Sequence, residues 1–110
     1  MTEETRSITF SPNEIVTAIA EFHFRRKLPI PKGKVVEMSF TAPPEIEVHL
    51  RIQGEGEAPP AEFNLKSETV AAALVFYCIN RSIPLPALAR KQLRLHGDGL
   101  KLLISNLHRH

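Results

Sequence analysis

The chain has one cysteine, no tryptophan, one tyrosine and only five glycines in 110 residues. A lone cysteine, Cys78, excludes a disulfide within the chain. It also leaves no CxxC spacing for a thiolate metal site. The shortage of Trp and Tyr removes the usual platforms for stacking single-stranded bases. The sequence contains no G-x-S-x-G, no P-loop, no dinucleotide fingerprint and no HExxH, so no catalytic or cofactor motif organises it. A non-enzymatic protein with no cofactor is therefore expected, and no metal site.

Long apolar runs are also missing. The longest apolar run, Val70 to Ile79, is ten residues. A membrane span needs about 20. The opening MTEETRSITF has neither a basic n-region nor an apolar h-region, so it does not read as a signal peptide. These features predict a cytoplasmic protein that does not engage a membrane. The net charge of +2 is too small to imply a polyanion partner by itself. The first 55 residues carry seven basic and eight acidic side chains, the last 55 seven and four.

What is present begins with the apolar run. Ser67 stands before it as an N-cap would, and Glu68 suits the first turn of a helix. Asn80 and Arg81 close it, and Ile83-Pro84-Leu85-Pro86 cannot continue a helix. Fifty-five residues earlier the same order occurs. FSPNEIVTAIAEFHFRRKLPIP from Phe10 aligns without a gap to LKSETVAAALVFYCINRSIPLP from Leu65. Ala18 matches Ala73, Arg26 matches Arg81, and Pro29 and Pro31 match Pro84 and Pro86. The spacing predicts an internal duplication.

Within each half the pattern reads β-α-β-β. Ser11-Pro12-Asn13-Glu14 is a capping box with proline at the first helical position, and it predicts a helix to about Lys27. Lys34 to Phe40 alternates, with Val36, Met38 and Phe40 on one face. Glu45 to Gln53 alternates more cleanly, with Ile46, Val48, Leu50 and Ile52 inward and Glu47, His49 and Arg51 outward. Gly54 to Glu62 is an acidic Gly/Pro connector. In the second half, Arg90 to His96 and Leu100 to Leu107 form a hairpin about His96-Gly97-Asp98-Gly99. Short strands are expected at Ile8–Phe10 and Phe63–Leu65, with residues 1–7 and 106–110 frayed. The fold class follows: one α+β domain over 1–110, with repeat one about 8–53 and repeat two about 63–107. The simplest arrangement is one antiparallel sheet with two helices on one face, related by a pseudo-twofold axis.

Four sets of residues are candidates for function. The second helix is apolar on all sides, and a sheet covers only one side. Val75, Phe76, Tyr77 and Ile79 are therefore expected to meet a partner, in a homodimer or another protein. Arg25, Arg26, Lys27, Lys32 and Lys34 follow the first helix, and Arg90, Lys91 and Arg94 hold the related place in the second half. These two basic patches carry the alternative reading, a nucleic-acid-binding regulator. His23 and Cys78 occupy equivalent repeat positions and meet only if strand order allows, with His49 as a third member. Glu47, His49 and Arg51 share one strand face, which reads first as a solvated face and second as an acid/base row.

One segment carries a local likeness. Leu85-Pro86-Ala87-Leu88-Ala89-Arg90-Lys91-Gln92-Leu93, with Leu95, Gly97 and Asp98, resembles the signature of AbrB-type swapped-hairpin transcription factors. Ala87 stands where that signature prefers lysine, and one residue is missing before Gly97. The resemblance implies a dimeric DNA-binding β-barrel.

Overall fold

The computed structural model describes residues 2–85 and 90–108. Its elements run β1 (Thr2–Phe10), α1 (Pro12–Arg26), β2 (Lys34–Phe40), β3 (Val48–Gln53), β4 (Ala61–Leu65), α2 (Ser67–Asn80), β5 (Arg90–His96) and β6 (Gly99–His108). The fold is α+β, but the expected single sheet is not formed. There are two antiparallel three-stranded sheets, ordered β1-β6-β5 and β2-β3-β4. The reason lies in the opening strand of each half. β1 leaves its own half and pairs with β6, from Thr2 opposite His108 to Phe10 opposite Leu100. β4 likewise joins the hairpin of the preceding half, with Leu65 opposite Val48. Each hairpin thus gains its third strand from the other half of the chain.

Local chemistry sets the helix ends. Ser11 Oγ accepts the Glu14 N–H at 3.2 Å, and Glu14 Oε1 accepts the Ser11 N–H at 2.9 Å. This reciprocal pair satisfies two donors that helix geometry leaves open. At the other end Lys27 is left-handed (φ 55°), and the Leu28 N–H reaches the His23 carbonyl at 2.9 Å. α2 closes in the same manner fifty-five residues on. Ser82 is left-handed (φ 54°), and the Ile83 N–H reaches the Cys78 carbonyl at 2.9 Å. Its start differs from expectation. Lys66 holds the N-cap position with no side-chain bond, and Ser67 Oγ donates instead to Glu45 Oε2 at 3.1 Å.

The buried helix residues also fall at matching positions. α1 buries Ile15, Ala18, Ile19, Phe22 and His23; α2 buries Val70, Ala73, Leu74, Tyr77 and Cys78. They join one core with Phe10, Leu100, Leu102 and Ile104 of the first sheet and Val48, Leu50, Ile52 and Leu65 of the second. Leucines and isoleucines so enclosed each contribute roughly 2–5 kcal/mol against truncation to alanine.

Other expectations need correction. Val36 does not face inward: a register shift between Val35 and Glu37 places it on the exposed side, 53% accessible. A bulge of one residue reverses alternation on one side of itself. Residues 2–7 are not frayed, because β6 continues far enough to pair with them. For the same reason β6 extends through Asn106 to His108. Glu45–Glu47 precede the third strand, which begins at Val48. The β5–β6 hairpin exists, but it lies in an open sheet with β1 and not in the barrel that the AbrB-like segment implies. Pro86 to Ala89 of that segment lie outside the described residues.

The chain is extended for its size. Its principal extents are 60 × 28 × 18 Å and its radius of gyration is 15.3 Å, against about 13 Å for a compact domain of this length. At Gly99, where β6 meets the end of β1, an added Cβ would overlap the Phe10 carbonyl oxygen. Gly99→Ala is therefore expected to destabilise the fold by about 2 kcal/mol through forced separation of β1 from β6. Urea unfolding checks this; an unchanged midpoint would refute the close approach.

Candidate functional site

Two surfaces gather polar or apolar side chains in a way that needs explanation. The first is the outer face of the sheet β2-β3-β4. His49 lies opposite Asn64 on β4 and Ser39 on β2. Its Nδ1 lies 2.8 Å from Asn64 Oδ1, and its Nε2 is hydrogen-bonded to Thr41 Oγ1. With Asn64 Oδ1 accepting, Nδ1 is the protonated nitrogen. Nε2 then accepts from the Thr41 hydroxyl. The order hydroxyl, imidazole, amide is that of a nucleophile, base and orienting group.

Its surroundings do not complete a catalytic site. The Thr41 N–H is spent on the Glu47 carbonyl at 3.0 Å. The depression beside it is shallow and polar, lined by Glu37, Ser39, Arg51 and Glu62. Glu37 and Arg51 form an exposed ion pair at 3.7 Å. His49 and Arg51 of the expected row are thus engaged in cross-strand contacts, and His49 laces three segments together. Sequence reasoning missed Thr41 and Asn64. Neither is marked by motif, and only the β3–β4 register brings Asn64 to His49.

The second surface is the outer side of the helix pair. α1 and α2 touch through Phe22 and Phe76, whose rings meet edge-on at 6.1 Å. Of the four residues expected at an interface, Ile79 is 62% exposed, and Val75 and Phe76 are half-buried on the same side. Tyr77 points inward. It is 8% exposed, meets the Phe10 ring at 6.0 Å, and donates to Glu14 Oε2 at 3.3 Å. Burial raises its pKa above the ordinary phenol value. On α1 the position equivalent to Ile79 is Phe24, and it is 87% exposed. Ala71, Ala72, Val75, Phe76 and Ile79 floor a groove of about 420 Å³ walled by Phe22, Arg26, Glu68 and Lys91.

The basic residues divide between places. Lys27 and Lys32 border a wider apolar groove of about 800 Å³ with Phe24, Leu28, Pro29 and Ile30. Arg26 and Lys91 flank the groove on α2, and Lys91 and Arg94 continue along its neighbour with Glu45 and Glu68. Arg25, Lys34 and Arg90 are exposed outside these grooves. Arg26 and Lys91, from the two patches, meet in one groove; its floor is hydrocarbon.

The equivalent arginines behave differently. Arg81 lies 3.6 Å from the Tyr77 ring centroid and binds Glu21 with both nitrogens, each at 3.0 Å. The Arg81 guanidinium holds the Glu21 carboxyl below its ordinary pKa. Arg26 lies 5.3 Å above the Phe22 ring, in the matching pose. Where Glu21 would recur stands Phe76. Among the described residues Arg26 has no carboxylate partner.

His23 is buried against Phe22 and Phe63, and its Nδ1 lies 2.8 Å from the Ile19 carbonyl oxygen. Cys78 is fully buried, and desolvation raises its thiol pKa, which suppresses the reactive thiolate. Among the described residues no group of three or more His, Cys, Asp or Glu side chains converges on a metal position. No described helix is long and apolar enough to cross a membrane.

Comparison with protein families, curated proteins and solved structures finds no match.

Two measurements test this description. His49→Ala and Asn64→Ala should each cost about 1 kcal/mol and combine to less than their sum, because they remove the same bond. Additive losses in a double-mutant cycle would separate the two residues. Acid should also act through Glu14 and Glu21. The Ser11 N–H is the main cause lowering the Glu14 pKa, and the Arg81 side chain does so for Glu21. A lowered folded pKa gives stability that is present above the ordinary value of 4.5 and lost as pH falls through the folded value. Thermal midpoints should drop below that pH, and Glu14→Gln with Glu21→Gln should flatten the drop.

Proposed function

We propose that the chain is a duplicated β-α-β-β module that works as a homodimeric interaction protein without catalytic chemistry. The duplication reading is supported by the matching buried positions on α1 and α2, by the same closing hydrogen bonds after each helix, and by the reciprocal exchange of β1 and β4. A gene-fused pair of identical units would produce that exchange.

The observation that carries the interaction reading is uncovered surface. A 12.4 kDa monomer is expected to expose about 6,100 Å², and this chain exposes 7495 Å². The surplus of about 1,400 Å² exceeds the roughly 800 Å² that one partner gives to an interface of standard size. The exposed surface includes large apolar side chains on both helices: Phe24 and Ile79 stand in water, and each would gain about 1.5–3 kcal/mol from full burial. The working surface is the outside of the helix pair, centred on Val75, Phe76 and Ile79. A cytoplasmic setting suits its free, buried cysteine.

A specific observation also favours the nucleic-acid alternative: Arg26 and Lys91 converge on one groove. The two readings respond oppositely to salt. Apolar association persists or strengthens as salt rises, whereas phosphate binding weakens steeply. Light scattering is expected to give a dimer mass at low and high salt alike. Ile79→Glu should shift it to monomer while leaving the circular dichroism spectrum intact. A monomer at every concentration would refute the proposal and leave the basic groove as the working surface.

A further inference from the structure

The unmatched arginine gives the dimer a register. On one side of the helix pair, Arg81 stacks on Tyr77 and is neutralised by Glu21. On the other side, Arg26 lies over Phe22 at a longer 5.3 Å, and Phe76 shares its groove where the carboxylate would be. The same pose is thus complete once and incomplete once. Within the protomer Glu68 walls the same groove but makes no ion pair with Arg26, so a carboxylate from outside the protomer is free to complete the arrangement over the apolar floor.

We infer that a second copy of this chain supplies it: α2 packs antiparallel against α2 of the partner about a twofold axis through Ala72, and the partner's Glu68 binds Arg26. This assignment rests on the homodimer reading above. Three features lead to it. Glu68, Ala72 and Phe76 are spaced by four residues, so they form one stripe along α2. That stripe faces outward: Glu68 and Ala72 are exposed and Phe76 is half-buried. Ala72 is also its centre. When two such helices run antiparallel with Ala72 on the axis, each residue meets the one lying equally far on the other side of Ala72. Glu68 of each copy then meets Phe76 of the other, beside Arg26. The contact is self-complementary, as an isologous interface requires.

Size and charge agree. Alanine at the crossing lets the helix axes approach to about 9–10 Å, within the observed range. Val75 and Ile79, one turn apart, lie on the flank of the stripe and are covered by the approach. Arg26 meets the partner's Glu68, each Glu68 already having Lys91 of its own copy beside it in the groove, and the reciprocal pair forms across the axis. A carboxylate between a guanidinium and an ammonium, at the rim of an apolar contact, selects this register over slipped ones more than it adds affinity.

Two tests distinguish this register from dimerisation in general. The first uses cysteine pairs. Ala72→Cys places two thiols at the axis, within the roughly 4.4–6.8 Å Cα separation of a disulfide. Thr17→Cys is the control, an exposed residue at the equivalent position of α1. The native Cys78 is buried and serves as the blank. Under mild oxidation Ala72→Cys should form a covalent dimer quickly and nearly completely, and Thr17→Cys should not. The second test exchanges charge. Arg26→Glu and Glu68→Arg should each weaken the dimer about tenfold, and the two together should restore it to within about twofold. A dimer in which Thr17→Cys links as fast as Ala72→Cys, or in which the charge reversals simply add, would overturn the register and leave self-association standing. A monomeric wild-type chain would overturn both.

Discussion

Everything in this fold depends on strands that leave home. β1 and β6 are the two ends of the described chain, and they pair over nine residues. β4 pairs back onto β3 in the same spirit. Neither hairpin is left as two strands, a form that is marginal in water. Each hairpin becomes a three-stranded sheet only when the other half is present. The halves are therefore mutually required, and a truncated half would expose Leu100, Leu102 and Ile104 or Val48, Leu50 and Ile52. The arrangement also makes the most distant contact in the sequence one of the largest, which is slow to form because the loop must close first.

The two helices have matched inner faces and unmatched outer ones. The inner faces agree position by position, down to Ala18 with Ala73. The outer faces differ. α1 keeps Glu21 and Thr17 where α2 has Phe76 and Ala72. One helix thus satisfies the cation of the other, and the second offers hydrocarbon in return. Core positions are held by packing density, so they tolerate little change. Surface positions are freer, and it is there that the two helices differ.

The sequence made much of this legible. The capping box at Ser11, the proline stops, the alternation in β3 and the turn at Gly97 each rest on local rules, and each element is present. The equivalence of Arg26 and Arg81 was visible from spacing alone. Three things were not. Strand exchange was hidden because alternation says which face a residue takes, not which neighbour its strand chooses. The bulge at Val36 was hidden because β2 is an edge strand, where an extra residue disturbs few partners. Tyr77 was read as a surface anchor because its helix is apolar all round, and nothing in such a run tells inside from outside. The Thr41–His49–Asn64 contact fell between elements, at a register that only the folded sheet defines. Glu21 gave no signal at all, since its partner Arg81 lies sixty residues away.

The β1–β6 ladder has a mechanical consequence. Thr2 lies opposite His108, so the chain enters and leaves the described fold at one point of the arm. Tension between those two points acts across the ladder, not along it. The hydrogen bonds would then break in succession, from Thr2 inward to Phe10, as a zipper opens, and the load would reach the core from the Arg6–Ile104 pair onward. A pull on the helix connections, such as Lys27 against Ser82, would meet no such seam.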